Sequence, residues 1–178
     1  VKNPGKVYWA GAPVRANGDK AIKITRTFSR DEEGKKVPGW WLKLELPSGR
    51  VLSYPGVGIS VEKVIEEEDR EGERPEYRER VRYMGQNQTT RQWQKIYTYG
   101  GKLAENVTQA LCRDMLAFAL VNVERSGWPI VLHVHDEIVT DVPNEPQYSA
   151  AELERLMCQL PVWAKGFPLA AEGQELPR

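Results

Sequence analysis

Apolar and polar residues alternate with a period of two through much of the first half of the chain. After residue 100 the period lengthens to that of a helix, so strands are expected first and a long helix next. Ala21 to Phe28 places Ile22 and Ile24 on one side and Lys23 and Thr25 on the other. Trp40 to Leu46 alternates likewise, and Pro47-Ser48-Gly49 turns it into Arg50 to Tyr54, which predicts a hairpin. Asn3-Pro4-Gly5, Asn17-Gly18-Asp19, Glu33-Gly34 and Pro38-Gly39 punctuate the rest of this part. Residues 66–80 are dominated by Glu and Arg with almost nothing to bury, and an exposed, mobile loop is expected there. Val81 to Met84 resumes as a strand, Gly85-Gln86-Asn87-Gln88 turns it, and Thr90 to Thr98 returns with Trp93 and Tyr97.

From about Gly101 to Arg125, Leu103, Val107, Leu111, Met115, Phe118 and Val121 recur at spacings of four and three, an apolar helical stripe that Ser126-Gly127 ends. Asp114 falls within it and reads best as a paired structural acid. Ile130 to Val134 and Ile138 to Val142 then flank His135-Asp136-Glu137, a hairpin with a three-residue polar turn. Ser149-Ala150-Ala151-Glu152 is a capping box that opens a helix to about Leu160, and Phe167 to Ala171 suggests a closing strand. No internal repeat is visible. The pattern predicts an α+β protein: a β-rich part over residues 1–100 and a second part over 101–178, together one domain or fragment.

Composition narrows this further. A chain of 178 residues has room for one real core, and 40% hydrophobic with 28% charged residues is ordinary for a soluble protein. No apolar run approaches the ~20 residues of a membrane span, and no signal peptide pattern opens the chain. The start at Val1 in place of Met leads us to expect a fragment. The two cysteines, Cys112 and Cys158, fall in helical segments and are expected to be reduced core residues. A formal net charge of zero conceals blocks: residues 1–50 carry +6, 51–80 carry −4, 81–115 carry +3 and 116–178 carry −5. Either this is scatter on a solvated surface, or a basic surface for a polyanion lies beside an acidic site for cations.

The hairpin is the sharpest chemical signal. His133 and His135 are expected on one strand face, with Ile130, Leu132 and Val134 on the other. Asp136 and Glu137 sit at the tip, where hard carboxylate oxygens suit a cation such as Mg²⁺. Read alone, the same residues make an ordinary polar turn beside a satisfied histidine. On the long helix, Lys102, Asn106, Gln109 and Arg113 project within a narrow sector over about 16 Å. Such a column suits nucleic acid, with charges for phosphates and amides for base edges and sugars. A solvated helix face is the plainer alternative.

These residues also carry a resemblance. Tyr99-Gly100-Gly101-Lys102-Leu103-Ala104-Glu105-Asn106-Val107-Thr108-Gln109-Ala110, then Arg113-Asp114, then Val131-Leu132-His133-Val134-His135-Asp136-Glu137, resemble the last third of a phage-type family A DNA polymerase. Leu46-Pro47-Ser48-Gly49-Arg50 and Pro168-Leu169-Ala170-Ala171-Glu172-Gly173 resemble that group as well, so the likeness runs from about residue 40 to 173. It implies a palm region: an antiparallel sheet with the acidic hairpin, packed against the long helix. It implies that Asp136 binds catalytic Mg²⁺, with Glu137 beside the metal and His135 at the primer terminus. Gln109 would touch the terminal base pair from the minor groove, with Lys102 and Arg113 along the DNA. Asn106 departs from the family spacing, standing three residues before Gln109 where four is usual.

The implied reaction is nucleotidyl transfer from deoxynucleoside triphosphates to a primer 3′-hydroxyl on primer–template DNA, with two Mg²⁺ ions. The segment with the family's other metal-binding Asp has no match here, nor has the nucleotide-binding fingers helix, and the exonuclease motifs are missing too. The second acidic ligand is therefore expected from an N-terminal remainder, in cis or in trans, and the isolated chain is expected to be inactive. A phage or prophage origin and the cytoplasm of a bacterial host follow from the resemblance, with no membrane partner. Two other readings stay open: a Zn²⁺ hydrolase using His133, His135 and Asp136, and a nucleic-acid-binding module without catalysis.

Overall fold

A computed structural model describes residues 7–14, 20–63 and 77–176. Among them are nine strands in three antiparallel sheets, two α-helices and one 3₁₀ turn, the α+β class that the patterning predicts. They divide into two compact units, one drawn chiefly from residues 21–107 and the other from 108 onward, with the division inside the long helix.

The first unit holds a four-stranded sheet in the order β1 (Val7–Val14), β2 (Lys20–Arg30), β3 (Lys36–Glu45), β4 (Val51–Pro55). Alternation buries Leu42 and Leu44, and Leu46 follows them inside, while Lys43 and Glu45 face solvent. Each buried leucine contributes roughly 1.5–3 kcal/mol. The β3–β4 turn closes as expected, with the Gly49 amide donating to the Leu46 carbonyl and Gly49 at φ +90°. Pro38-Gly39 is not a boundary. It forms a bulge inside β3, where the register passes from Phe28↔Trp40 to Ser29↔Val37. Gly39, at φ +126°, allows the bulge, and the true turn lies at Asp31–Lys35.

A second sheet runs β5 (Gly58–Lys63), β6 (Tyr77–Gln86), β7 (Trp93–Thr98). The strand expected from Val81 starts four residues earlier, so Tyr77–Arg80 belong to the sheet and not to a loop. The rest of the acidic stretch, through residue 76, lies outside the described residues. Asn87 organises the β6–β7 turn: its Oδ1 accepts from the amides of Thr89 and Thr90 at 2.9 and 3.0 Å. Tyr54 and Tyr83 meet edge to face, 5.0 Å between centroids.

Helix α1 (Gly100–Arg125) is the predicted long helix. Its buried positions are Val107, Ala110, Met115, Ala119 and Val123. Val121, placed in the stripe by residue type, is exposed, because the helix turns 200° between Ala119 and Val121. Cys112 is likewise exposed and is not a core residue; it and the half-buried Cys158 are both free thiols.

In the second unit, α1 ends on Gly127 at φ +83°, with the Gly127 amide donating to the Glu124 carbonyl and the Trp128 amide to the Val123 carbonyl. This glycine-terminated cap drops Trp128 onto Val123, and both join Leu156 in a core that also takes in Ile130, Ile138, Val142, Tyr148, Leu153 and Met157. Helix α2 (Ala150–Met157) starts at Ser149, whose hydroxyl accepts from the Glu152 amide. It stops before the expected Leu160, since Pro161 disfavours helical backbone at the residue before it. No strand forms at Phe167–Ala171: Pro168 lacks an amide, and the chain runs irregularly there. The tail is tied to α2 instead, by Gly173 N–H to Glu154 at 2.7 Å and Ala150 N–H to Glu175 at 2.8 Å.

Candidate functional site: an acidic hairpin and a polar helix face

The acidic hairpin consists of β8 (Ile130–Val134) and β9 (Glu137–Thr140). Its base is anchored: the Ile130 amide donates to Glu124 of α1 at 3.3 Å, and the Asp141 amide donates to the Pro129 carbonyl at 3.3 Å. Trp128 and Tyr148 pack edge to face beneath it, 5.1 Å apart. The other end stands in solvent, with His133, His135, Asp136 and Glu137 all exposed. A carboxylate at such a tip keeps its full solvation until a cation or a partner displaces water.

The turn is one residue tighter than expected. Val134 pairs with Glu137, so the loop is His135-Asp136 alone and Glu137 is the first residue of β9. His135 stands at φ +52°, the left-handed region that an L side chain occupies at a cost of roughly 1–2 kcal/mol. His133 and His135 therefore do not share a strand face.

The alternation fails at a second place. Thr140 pairs with Ile130 and Val139 with Leu132, so Val131 is an extra residue that flips the strand. Ile130 and Ile138 turn to the core, with His133 further along that face. Leu132, Val134 and Val139 turn the other way and remain 54, 45 and 44% exposed. The outer face of this two-stranded sheet is thus open, and apolar except for Glu137 at its tip end.

Among the described residues no three of His, Cys, Asp or Glu gather closely enough to hold a metal ion. The zinc arrangement of His133, His135 and Asp136 is accordingly not assembled. Asp136 and Glu137 offer hard oxygen donors of the kind Mg²⁺ takes, but as neighbours at one tip they are a partial ligand set that needs donors from elsewhere.

The four polar residues of α1 lie along one side of the helix, in differing surroundings. Lys102, Gln109 and Arg113 are exposed and Asn106 is half-buried. The Lys102 ammonium donates to both carboxylate oxygens of Glu105 at 2.9 Å, and that bond raises the Lys102 pKa above the ordinary lysine value. Its charge is held, yet locally matched by Glu105. Asn106 donates from Nδ2 to the Tyr54 hydroxyl at 3.1 Å, a contact 52 residues apart in sequence that no spacing argument reveals. Asp114 is half-buried in the apolar stripe.

A DNA polymerase of Bacillus phage SP02 is 39% identical over 132 residues, a match that covers 74% of this chain and 18% of that protein. The chain thus spans about a fifth of the length of the relative it matches. No family model matches it, and no solved structure matches it significantly. No helix among the described residues is long and apolar enough to cross a membrane.

Proposed function

We propose that the chain is the C-terminal palm portion of a DNA-directed DNA polymerase of family A, acting in template-directed nucleotidyl transfer to a primer 3′-hydroxyl during DNA replication. The observation that carries this reading is the 39% identity, over three-quarters of the chain, to a protein named a DNA polymerase. The hairpin supports it: an anchored base and an exposed acidic tip are what a site needs if it is to present a carboxylate to a cation and substrate.

In this reading Asp136 supplies one carboxylate ligand and Glu137 lies beside it. Bound Mg²⁺ would activate the hydroxyl and stabilise charge on the leaving pyrophosphate. The chain's own residues do the positioning. His135, held at the turn, meets the primer terminus, Gln109 reads the terminal pair from the minor groove, and Lys102 and Arg113 track phosphates along α1. Asn106, the fourth DNA-contact candidate of this face, is steadied by its donation to the Tyr54 hydroxyl.

The remaining acidic ligand and the triphosphate-binding groups come from an N-terminal remainder, in cis or in trans. The open face of Leu132, Val134 and Val139 suits that arrangement, since two strands with one bare apolar face are marginal alone. Primer extension tests the proposal. The purified chain is expected to extend nothing, and adding the polypeptide encoded upstream is expected to restore template-directed synthesis that Asp136→Asn abolishes. Extension by the chain alone, or reconstituted extension indifferent to Asp136, would overturn it.

A further inference from the structure

A tyrosine in the core of the first unit carries a hydroxyl that packing does not need. Tyr54 of β4 stands opposite Leu42 in the register and is 7% exposed, on the sheet face that also buries Leu44. Phenylalanine would fill the same space. A hydroxyl taken out of water costs stability unless it is bonded, and here it accepts from Asn106 Nδ2 at 3.1 Å. Asn106 is half-buried, on the side of α1 that also carries Lys102, Gln109 and Arg113. The bond thus ties a core residue to one polar side chain of that helix face.

The backbone that carries Tyr54 is held on both sides. The Tyr83 ring of β6 meets Tyr54 edge to face, 5.0 Å between centroids. Burial raises the Tyr83 pKa and the Lys102 charge opposes the rise, so this phenol lies within electrostatic reach of the helix turn just before Asn106. Two residues past Tyr54, Gly56 passes so close to β6 that a Cβ there would stand 2.6 Å from Met84 Cγ. Val57 beside it is buried, and its amide donates to the Trp40 carbonyl at 3.0 Å. The hydroxyl is therefore the fixed partner of the pair, and Asn106 is the side chain that it holds.

We propose that Tyr54 is a positioning residue for DNA on α1: its hydroxyl fixes the Asn106 carboxamide, so that the amide meets the duplex in one orientation instead of several. An amide already held loses little freedom when DNA binds. Ordering a free side chain at an interface forfeits about two- to tenfold in affinity, and that is the size of the effect assigned to the hydroxyl. The inference rests on the proposed reading in taking DNA as what meets this helix face. Tyr54 itself touches no DNA and acts through Asn106.

A labelled DNA hairpin duplex of mixed sequence, titrated with the full 178-residue chain and read by anisotropy, tests this. Tyr54→Phe is expected to weaken binding about two- to tenfold, and to add no further loss in an Asn106→Ala background. The slope of log K against log salt is expected to stay that of the wild type, because Asn106 carries no charge. A helix merely loosened by the missing bond would also lose phosphate contacts of Lys102 and Arg113, and the slope would flatten. Unchanged affinity of Tyr54→Phe, a flattened slope, or an undiminished loss on top of Asn106→Ala would each overturn the proposal. So would a Tyr54→Phe chain that circular dichroism shows to be unfolded, since the hydroxyl would then serve the core. The two readings fail separately. Binding weakened by Asn106→Ala and indifferent to Tyr54→Phe removes the role of Tyr54 and leaves DNA on α1. Binding indifferent to both Asn106→Ala and Arg113→Ala takes DNA off this helix face, and this proposal goes with it.

Discussion

His135→Gly separates a histidine kept for chemistry from one kept for the fold. The imidazole occupies the first position of a two-residue hairpin loop at φ +52° and is exposed. A left-handed L residue costs roughly 1–2 kcal/mol. Glycine removes that cost but adds roughly 0.5–1 kcal/mol of chain entropy to be lost on folding. The net expectation is a change between about zero and 1.5 kcal/mol in favour of the variant, or up to about 5 °C in Tm for a chain of this length. If His135 meets the primer terminus, the same substitution slows extension at least tenfold, about 1.4 kcal/mol of lost transition-state stabilisation. Urea unfolding of the isolated chain reads the first quantity, and single-turnover extension by the reconstituted polymerase reads the second. A variant less stable by more than about 1 kcal/mol would show that the imidazole holds the turn. A variant with an unchanged extension rate would show that the strained position serves no reaction. Either result refutes the reasoning.

In the reconstituted polymerase, Asp136→Asn is expected to lower kcat by about two orders of magnitude or more with little change in primer–template affinity, since it removes charge at one point. Glu137→Gln, in β9 beside the tip, should cost less, and a single-turnover comparison with the reverse order would exchange the two assignments. Duplex binding by the chain is expected to be weak, salt-sensitive and indifferent to sequence. Arg113→Ala should weaken it more than Lys102→Ala, because Lys102 is already matched by Glu105, and a filter-binding series in salt checks the order. Gly127→Ala leaves nothing within 4 Å of its new Cβ, so its cost is backbone strain alone, roughly 1–2 kcal/mol by thermal unfolding. Gly127→Asn should recover part of that, and a loss several times larger would mean that more than the cap at Trp128 had been disturbed.

The elements that periodicity can see were legible. The β3–β4 hairpin follows from two alternating runs around Pro47-Ser48-Gly49, and α1 from its four-and-three spacing with a glycine stop. What escaped were single residues that change phase. Val131 adds one residue to β8, and every side chain beyond it exchanges faces, so Leu132 and Val134 point away from the core that Ile130 enters. Pro38-Gly39 looked like punctuation and is a bulge within one strand, because an antiparallel partner was in place to continue the ladder on both sides. Long-range pairing was equally hidden: nothing near Asn106 announces Tyr54, and only the fold brings them to 3.1 Å.

One face of the β5–β6–β7 sheet, where Arg82 stands opposite Tyr97 and Met84 opposite Lys95, was within reach but obscured. Arg78-x-Arg80-x-Arg82 alternates like a strand, yet it follows directly on a charged run, and composition absorbed it into the expected loop. A charged residue every second position is not evidence against a strand when Val81 stands between two of them and Tyr83 follows. It marks a sheet that presents one face to solvent. At the acidic hairpin the sign is opposite. There, after the bulge, the residues facing solvent are Leu132, Val134 and Val139, and an apolar face left in water by a two-stranded sheet costs stability until something covers it. One sheet is finished on its outer side by charge. The other is left open, and in the proposed reading its burial against an N-terminal remainder would also bring the further donors that Asp136 would need.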